Sequence, residues 1–224
     1  MGMIMLCGPD QIVGCPHCSK PARQPTIRMG NPVRVRVWTD GKQISPMEYE
    51  APVVAICLGC DHPFWLASAK ILGEIDSLKG EEGVVDLDPL WLEAEHLEEP
   101  SEEEYHRAIA VGLATNPDQE RTLRILTWWR ENDSFREKAP TGSPHTATGP
   151  RRKNLEALSL LLGEAEVGER LMRAEVLRHL GKFEQSRSLL AKTDYAPFGP
   201  IVEQMRSLCE AKDSLVRELY LVGE

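Results

Sequence analysis

Two Cys-x-x-Cys pairs constrain this chain more than any other feature: Cys15-Pro16-His17-Cys18 and Cys57-Leu58-Gly59-Cys60, with 38 residues between them. A two-residue gap lets both sulfurs of one tight turn reach one ion, and two such turns complete a tetrahedron at Zn–S distances of about 2.3 Å. Pro16 and Gly59 suit those turns, because proline pre-sets φ and glycine permits φ > 0. Two spaced pairs are a far stronger metal signal than one. The expectation is one structural Zn²⁺ held by Cys15, Cys18, Cys57 and Cys60. Four thiolates fill the coordination shell, whereas catalytic zinc keeps a position for water. The ligand set by itself leaves iron open. A thioredoxin-like redox pair requires one Cys-x-x-Cys within a βαβ unit, and no such unit is visible. Disulfides require an oxidising compartment, to which nothing in the sequence points. His17 and His62 stand inside and beside the knuckles, but four cysteines already complete the set. Cys7 and Cys209 have no partner at ligand spacing and read as packed small apolar residues.

The net charge of −9 is unevenly spread. Residues 1–73 carry seven Lys/Arg and five Asp/Glu, a balance of +2. Residues 74–104 carry one Lys and thirteen Asp/Glu, a balance of −12, and residues 105–224 carry eighteen and seventeen, a balance of +1. The sequence thus divides into a cysteine-bearing region over 1–73, an acidic connector over 74–100 and a helical region over 101–224. The 42% hydrophobic content suits folded cores. No apolar run approaches the roughly 18 residues that span a membrane. Met1–Leu6 has neither the basic lead nor the apolar length of an export signal. The expectation is a soluble, cytoplasmic protein with no membrane partner.

Val33-Arg34-Val35-Arg36-Val37-Trp38 alternates with period two, the mark of a half-buried strand. Thr39-Asp40-Gly41-Lys42 reads as a hairpin turn in which Asp-Gly supplies two positive-φ positions. A return strand falls over 43–49. Pro52–Ile56 is a short apolar strand into the second knuckle. Phe64-Trp65-Leu66 follows that knuckle, with aromatics expected over the metal, and 67–75 is a final strand or a short helix. This order resembles the zinc-ribbon class over residues 13–70. The chain departs from that class where many ribbons have glycine after each second cysteine; here Ser19 and Asp61 stand. The acidic connector reads as a solvated linker anchored by Asp88-Pro89-Leu90-Trp91-Leu92; the alternative is an anionic strip that covers the basic hairpin or mimics nucleic acid.

The helical region opens with Ser101 and Glu104 as a capping box. Asn116-Pro117 starts a second helix, with Gln119 closing a further box. That helix carries Leu123, Ile125, Leu126, Trp128 and Trp129, apolar over a wide arc. Residues 138–150 are rich in proline, glycine and serine and read as a flexible loop. Further helices are expected over 152–162, 164–180 with Gly181 as C-terminal cap, 183–192, 199–212 and 213–221. Within them Ala174, Gly181, Phe183 and Ser186 take the small, glycine, aromatic and small positions of a tetratricopeptide repeat. The stretch 166–193 resembles that repeat, with a degenerate second copy in 101–137. The fold class expected is α+β: a small N-terminal β zinc ribbon followed by an all-α bundle with tetratricopeptide-like hairpins. The combination is similar to bacterial proteins of unknown function.

The chain contains no phosphate loop, dinucleotide-binding glycine pattern, His-Glu-x-x-His or nucleophile elbow. Its six histidines do not pair at helical ligand spacing. The function expected is therefore non-catalytic: a protein–protein interaction adaptor working through the helices. The alternative is a nucleic-acid binder using Arg34 and Arg36 on one strand face, with Lys20, Arg23, Arg28 and Lys42 nearby. Exposed strand faces also carry Lys and Arg simply to block edge pairing.

Overall fold

The computed structural model describes residues 6–29, 35–45, 51–76, 88–137, 147–193 and 196–220. Arg34, residues 138–146 of the expected loop and 46–49 of the expected return strand lie outside these. The architecture is α+β, with short antiparallel strands before the helices. Contacts divide the chain into two units: Met1–Arg34 with Ser45–Leu113, and Val35–Ile44 with Ala114–Glu224. The sequence groups the 35–44 hairpin with the cysteine knuckles, whereas by contacts it joins the second unit. The helices at 102–110 and 117–137 likewise fall in different units.

In the first unit, β1 (Leu6–Cys7) pairs with β4 (Ile27–Met29), and β2 (Asp10–Gly14) lies between β3 (Pro21–Gln24) and β9 (Lys70–Ile75), all antiparallel. A second hairpin joins β7 (Val54–Ile56) to β8 (Pro63–Trp65). Between β8 and β9 a single 3₁₀ turn covers Leu66–Ser68, and of the strand and the short helix expected over 67–75 the strand is the one that forms, from Lys70. Val54, Ala55 and Ile56 are all buried, which is why β7 reads as an unbroken apolar run. Val13, Cys15, Ala55, Cys57, Phe64 and Leu97 form one core that ties both hairpins together.

The acidic segment is docked over much of its described length. Asp88 caps the four-residue helix α1 (Pro89–Leu92) by accepting from the Leu90 N–H at 2.9 Å. The Trp91 ring lies on Gly73 of β9 so closely that a Cβ there would stand 2.5 Å from two ring carbons. Arg23 donates to the carbonyls of Trp91 and Leu92, the latter at 2.7 Å. Its backbone also pairs with Glu95 and Leu97, extending the sheet beyond β3. The expected apolar anchor is therefore real and longer than 88–92. Helix α2 (Glu102–Ala110) follows, opened by the expected reciprocal Ser101–Glu104 box.

In the second unit, β5 (Arg36–Val37) and β6 (Gln43–Ile44) form the expected hairpin. Its loop is Thr39-Asp40-Gly41, closed by the Trp38 N–H to the Lys42 carbonyl. Only Gly41 has a positive φ, +82°; Asp40 does not, so the turn is the three-residue kind rather than the two-residue Asp-Gly kind expected. Among the described residues five α-helices follow: α3 (Pro117–Glu137), α4 (Gly149–Leu161), α5 (Val167–His179), α6 (Phe183–Ala191) and α7 (Gly199–Glu210). Each packs on the next, and α5 also touches α7. Trp128, Leu155, Leu158, Val176 and Leu180 fill the layer among α3, α4 and α5. Leu171, Ala174, Leu177, Leu190, Val202 and Met205 fill the layer among α5, α6 and α7. Asn116 accepts from the Gln119 N–H, but Gln119 reaches back to Thr115, so the second capping box is shifted by one residue. Gly181 caps α5 at φ +73°, as expected.

The expected last helix over 213–221 does not form. Lys212 turns left-handed at φ +52°, and the Asp213 N–H closes back on the Leu208 carbonyl, ending α7. Residues 217–219 instead run antiparallel to β5, with the Thr39 N–H bound to the Arg217 carbonyl at 2.8 Å and the Leu219 N–H to that of Val37 at 2.7 Å. The bare edge of a two-stranded hairpin gains a third strand that way, and the apolar Leu215, Val216 and Leu219 become buried.

Candidate metal centre

Each cysteine pair sits at the tip of a β-hairpin, and the two tips are built alike. Gly14 opposite Pro21 closes the loop 15–20, and Ile56 opposite Pro63 closes the loop 57–62. In the first, the Cys15 N–H binds the Lys20 carbonyl at 3.0 Å, the Ser19 N–H binds the Cys15 carbonyl at 2.9 Å, and the His17 N–H points at Cys15 Sγ at 3.4 Å. The second repeats this set with Cys57, His62, Asp61 and Gly59, at 3.0, 2.8 and 3.4 Å. Ser19 and Asp61 adopt φ +63° and +59°. The positions where many ribbons have glycine are thus left-handed here too, in spite of their side chains. Conformation, rather than residue type, is what the knuckle requires.

All four sulfurs lie within 4.8 Å of one another. Cys18 and Cys57 approach to 3.5 Å and Cys15 and Cys60 to 3.8 Å, each contact bridging the two knuckles. A tetrahedron with Zn–S bonds of about 2.3 Å has S···S edges of about 3.8 Å, so the donor set fits one tetrahedral ion. The four cysteines can hold one metal, as their spacing predicts. Three of the thiols are shifted by their surroundings. Burial pushes Cys57 up, but the backbone N–H groups of Cys60 and Gly59 outweigh it and bring the thiol down to about 7. Cys60 receives a backbone bond from His62 that favours the thiolate, yet burial and the three neighbouring sulfurs drive it up to about 12. Burial raises Cys15 as well. Four negative sulfurs this close require a cation, and a divalent ion would let all four ionise.

Cys15 and Cys57 are 5% and 4% exposed, against the sheet core, whereas Cys18 is exposed and Cys60 intermediate. Phe64 packs with Cys15 and Cys57 as expected. Trp65 points the other way along the strand and donates its Nε1–H to the Leu113 carbonyl, so one aromatic rather than two backs the centre. His17 and His62 stack across the knuckles with centroids 4.9 Å apart. Cys209 is buried, its thiol bound to Ser186 Oγ at 3.3 Å. Cys7 lies in β1; its side chain is outside the described residues.

The basic side chains singled out on the hairpin are largely engaged. Arg36 makes a two-pronged pair with Glu218 at 2.9 and 2.7 Å and stacks over Trp38 at 4.9 Å. Lys42 binds Asp133 at 3.0 Å. Arg23 is held by Trp91 and Leu92, as above. Sequence reasoning missed a buried ionic network in the second unit. Asp40, fully buried, takes Asn132 at 2.7 Å and two bonds from Arg136 at 3.1 and 2.5 Å, while its carbonyl accepts from Trp129. On α5, Glu175 holds Arg178 at 2.8 and 2.5 Å and His179 at 3.1 Å, with all three side chains sealed from water. The Trp128 Nε1–H donates to His179 Nδ1 at 3.2 Å, which places the imidazole proton on Nε2, facing Glu175. Burial lowers the His179 pKa despite Glu175. Burial alone would raise Glu175, but Arg178 and His179 hold it far below the usual carboxylate range. Arg178 also reaches the Asp213 and Leu215 carbonyls and Thr39, so the network ties α5 to the hairpin and the C-terminal strand. The i, i+3, i+4 spacing of Glu175, Arg178 and His179 was legible; that it faces inward was not.

Compared with protein families, curated proteins and solved structures, the chain matches none. Among the described residues no helix is long and apolar enough to cross a membrane.

Proposed function

We propose that the protein is a non-catalytic zinc-binding protein that serves as a protein–protein interaction adaptor through its helices. The observation that carries the metal part is the four-sulfur cluster, whose S···S separations suit a closed tetrahedral shell with no place for a reacting water. Zinc is preferred to iron for a structural tetrathiolate, the ion's binding energy then contributing to folding of the hairpin tips. The adaptor part rests on α3–α7, a succession in which each helix packs on its neighbour and α5–α6 carries the tetratricopeptide-like positions, with Ala174 and Ser186 buried at the crossing. Helices so arrayed offer grooves for a peptide or a partner helix. The nucleic-acid reading is weaker, because Arg36 and Lys42 are already paired with carboxylates.

Metal analysis of purified protein tests the first part. One zinc per chain and no visible absorption supports it; a coloured iron–thiolate spectrum replaces zinc by iron. For the second part, cross-linking in native lysate followed by reconstitution with the purified partner should give a complex weakened by substitutions on the outer faces of α4 and α6. Salt-sensitive binding of labelled oligonucleotides that is lost in Arg36→Glu would transfer the function to the hairpin.

A further inference from the structure

The four sulfurs of the cluster are not equally exposed. Cys15 and Cys57 are buried and each accepts a backbone N–H, from His17 and Gly59, at 3.4 Å. Cys60 is half-covered and receives a backbone bond from His62. Cys18 is exposed. Hydrogen bonds and burial both reduce the attacking power of a thiolate, so the four sulfurs are not equivalent toward a small electrophile. The thiol nearest to Cys18 across the cluster is Cys57, at 3.5 Å on the opposite knuckle. An exposed attacking sulfur with a second sulfur poised beside it is the arrangement of a redox-sensing cysteine pair.

We propose that Cys18 is an oxidation site for hydroperoxides, with Cys57 as its resolving partner, and that their disulfide expels the metal. The Cys18 thiolate attacks the distal oxygen of hydrogen peroxide, the O–O bond breaks, and Cys18 becomes a sulfenic acid as hydroxide leaves. The Cys57 thiolate then attacks the Cys18 sulfur, forming the S–S bond and releasing a second hydroxide. In sum, two thiolates and one peroxide give one disulfide and two hydroxides, and the peroxide takes up the two electrons. The ion is left with Cys15 and Cys60 alone, and two ligands do not retain it. The bond joins the two hairpin tips in place of the metal, and reduction followed by zinc restores the starting state.

This inference rests on the zinc reading, so metal content is measured first: a protein that carries no metal refutes that reading, not the choice of sulfur. Metal-loaded protein is then treated with one equivalent of hydrogen peroxide, and metal release is followed with a chromophoric chelator. Partly oxidised samples are alkylated, digested and mapped by mass spectrometry. The expected result is zinc release in step with a mass loss of about 2 Da and a first cross-link between Cys18 and Cys57. Cys18→His keeps a zinc-competent ligand and should release metal at least tenfold more slowly, while Cys209→Ser, at a cysteine outside the cluster, should release it at the wild-type rate. A first disulfide within one knuckle, metal loss without a disulfide, or a Cys18→His protein as sensitive as the wild type would overturn the proposal.

Discussion

Replacing Glu175 by glutamine removes one charge from the most enclosed ion pair of the helical unit. The side chains of Glu175, Arg178 and His179 are sealed from water, so the guanidinium left behind cannot recover its hydration. The glutamine keeps the shape and one acceptor, but its amide N–H₂ then faces donors on Arg178 and on His179 Nε2. Breaking a buried pair by removing one partner costs about 3–5 kcal/mol. Arg178 retains the carbonyls of Asp213 and Leu215 and the Asp213 carboxylate at 3.9 Å, which holds the cost near the lower end, about 3 kcal/mol. With a urea dependence of about 2 kcal/mol per molar, the unfolding midpoint should fall by about 1.5 M. The assay is urea unfolding at neutral pH followed by far-UV circular dichroism, which reports α3–α7. Glu156→Gln, which breaks the exposed Arg152–Glu156 pair, is the control and should leave the midpoint in place. A shift below about 0.5 M for Glu175→Gln would mean that Arg178 is satisfied by carbonyls alone and that the carboxylate contributes little.

The same network sets an acid limit. The His179 pKa is depressed below the 6.5 of an unfolded histidine and that of Glu175 below the 4.5 of an unfolded glutamate, so the unfolded chain binds the extra protons and stability falls as pH falls, first below about 6.5 and again below about 4.5. Urea midpoints measured from pH 8 to pH 4 should show this two-stage decline, and His179→Gln should flatten the upper stage; a profile that is level down to pH 5 would refute it. At Ser19, φ +63° disfavours any side chain, so Ser19→Gly should relieve about 1 kcal/mol and slow zinc loss to a competing chelator, while Ser19→Val should hasten it. Equal retention by all three would remove the left-handed requirement. Gly73→Ala places a methyl 2.5 Å from the Trp91 ring, should cost about 1–3 kcal/mol, and should expose the 88–97 segment to proteolysis. Combining it with Trp91→Leu should restore most of the protection.

What the sequence revealed depended on how local the governing chemistry was. The cysteine pairs were legible because ligand spacing within a knuckle is a property of four consecutive residues, and one ion requires the pairs to meet whatever lies between them. Caps at Ser101 and Gly181 were legible for the same reason: donor, acceptor and backbone conformation all lie within one turn. The sequence suggested strain at Ser19 and Asp61 only by contrast with glycine, and the hydrogen bonds of both knuckles explain why the shape persists. Asp40 was misread because Asp-Gly signals a turn locally, while its carboxylate is claimed by Asn132 and Arg136, more than ninety residues away. The segment after Asp213 has helix-forming residues, but the open edge of β5 takes its backbone, a demand visible only once the hairpin is in place. Trp128 and Trp129 show the same division. Their adjacency indicated burial on two sides, and it took the fold to give each indole N–H its own acceptor, His179 for one and the Asp40 carbonyl for the other. Both acceptors belong to the ionic network, so the tryptophan pair acts as a hydrogen-bonded clamp on it as well as apolar filling. A polar cluster assembled from the hairpin, α3, α5 and the last strand leaves at most a local spacing in any one of them, such as Glu175, Arg178 and His179 on α5, with nothing to say that it faces inward, which is why the cysteines were found first and the network was not found at all.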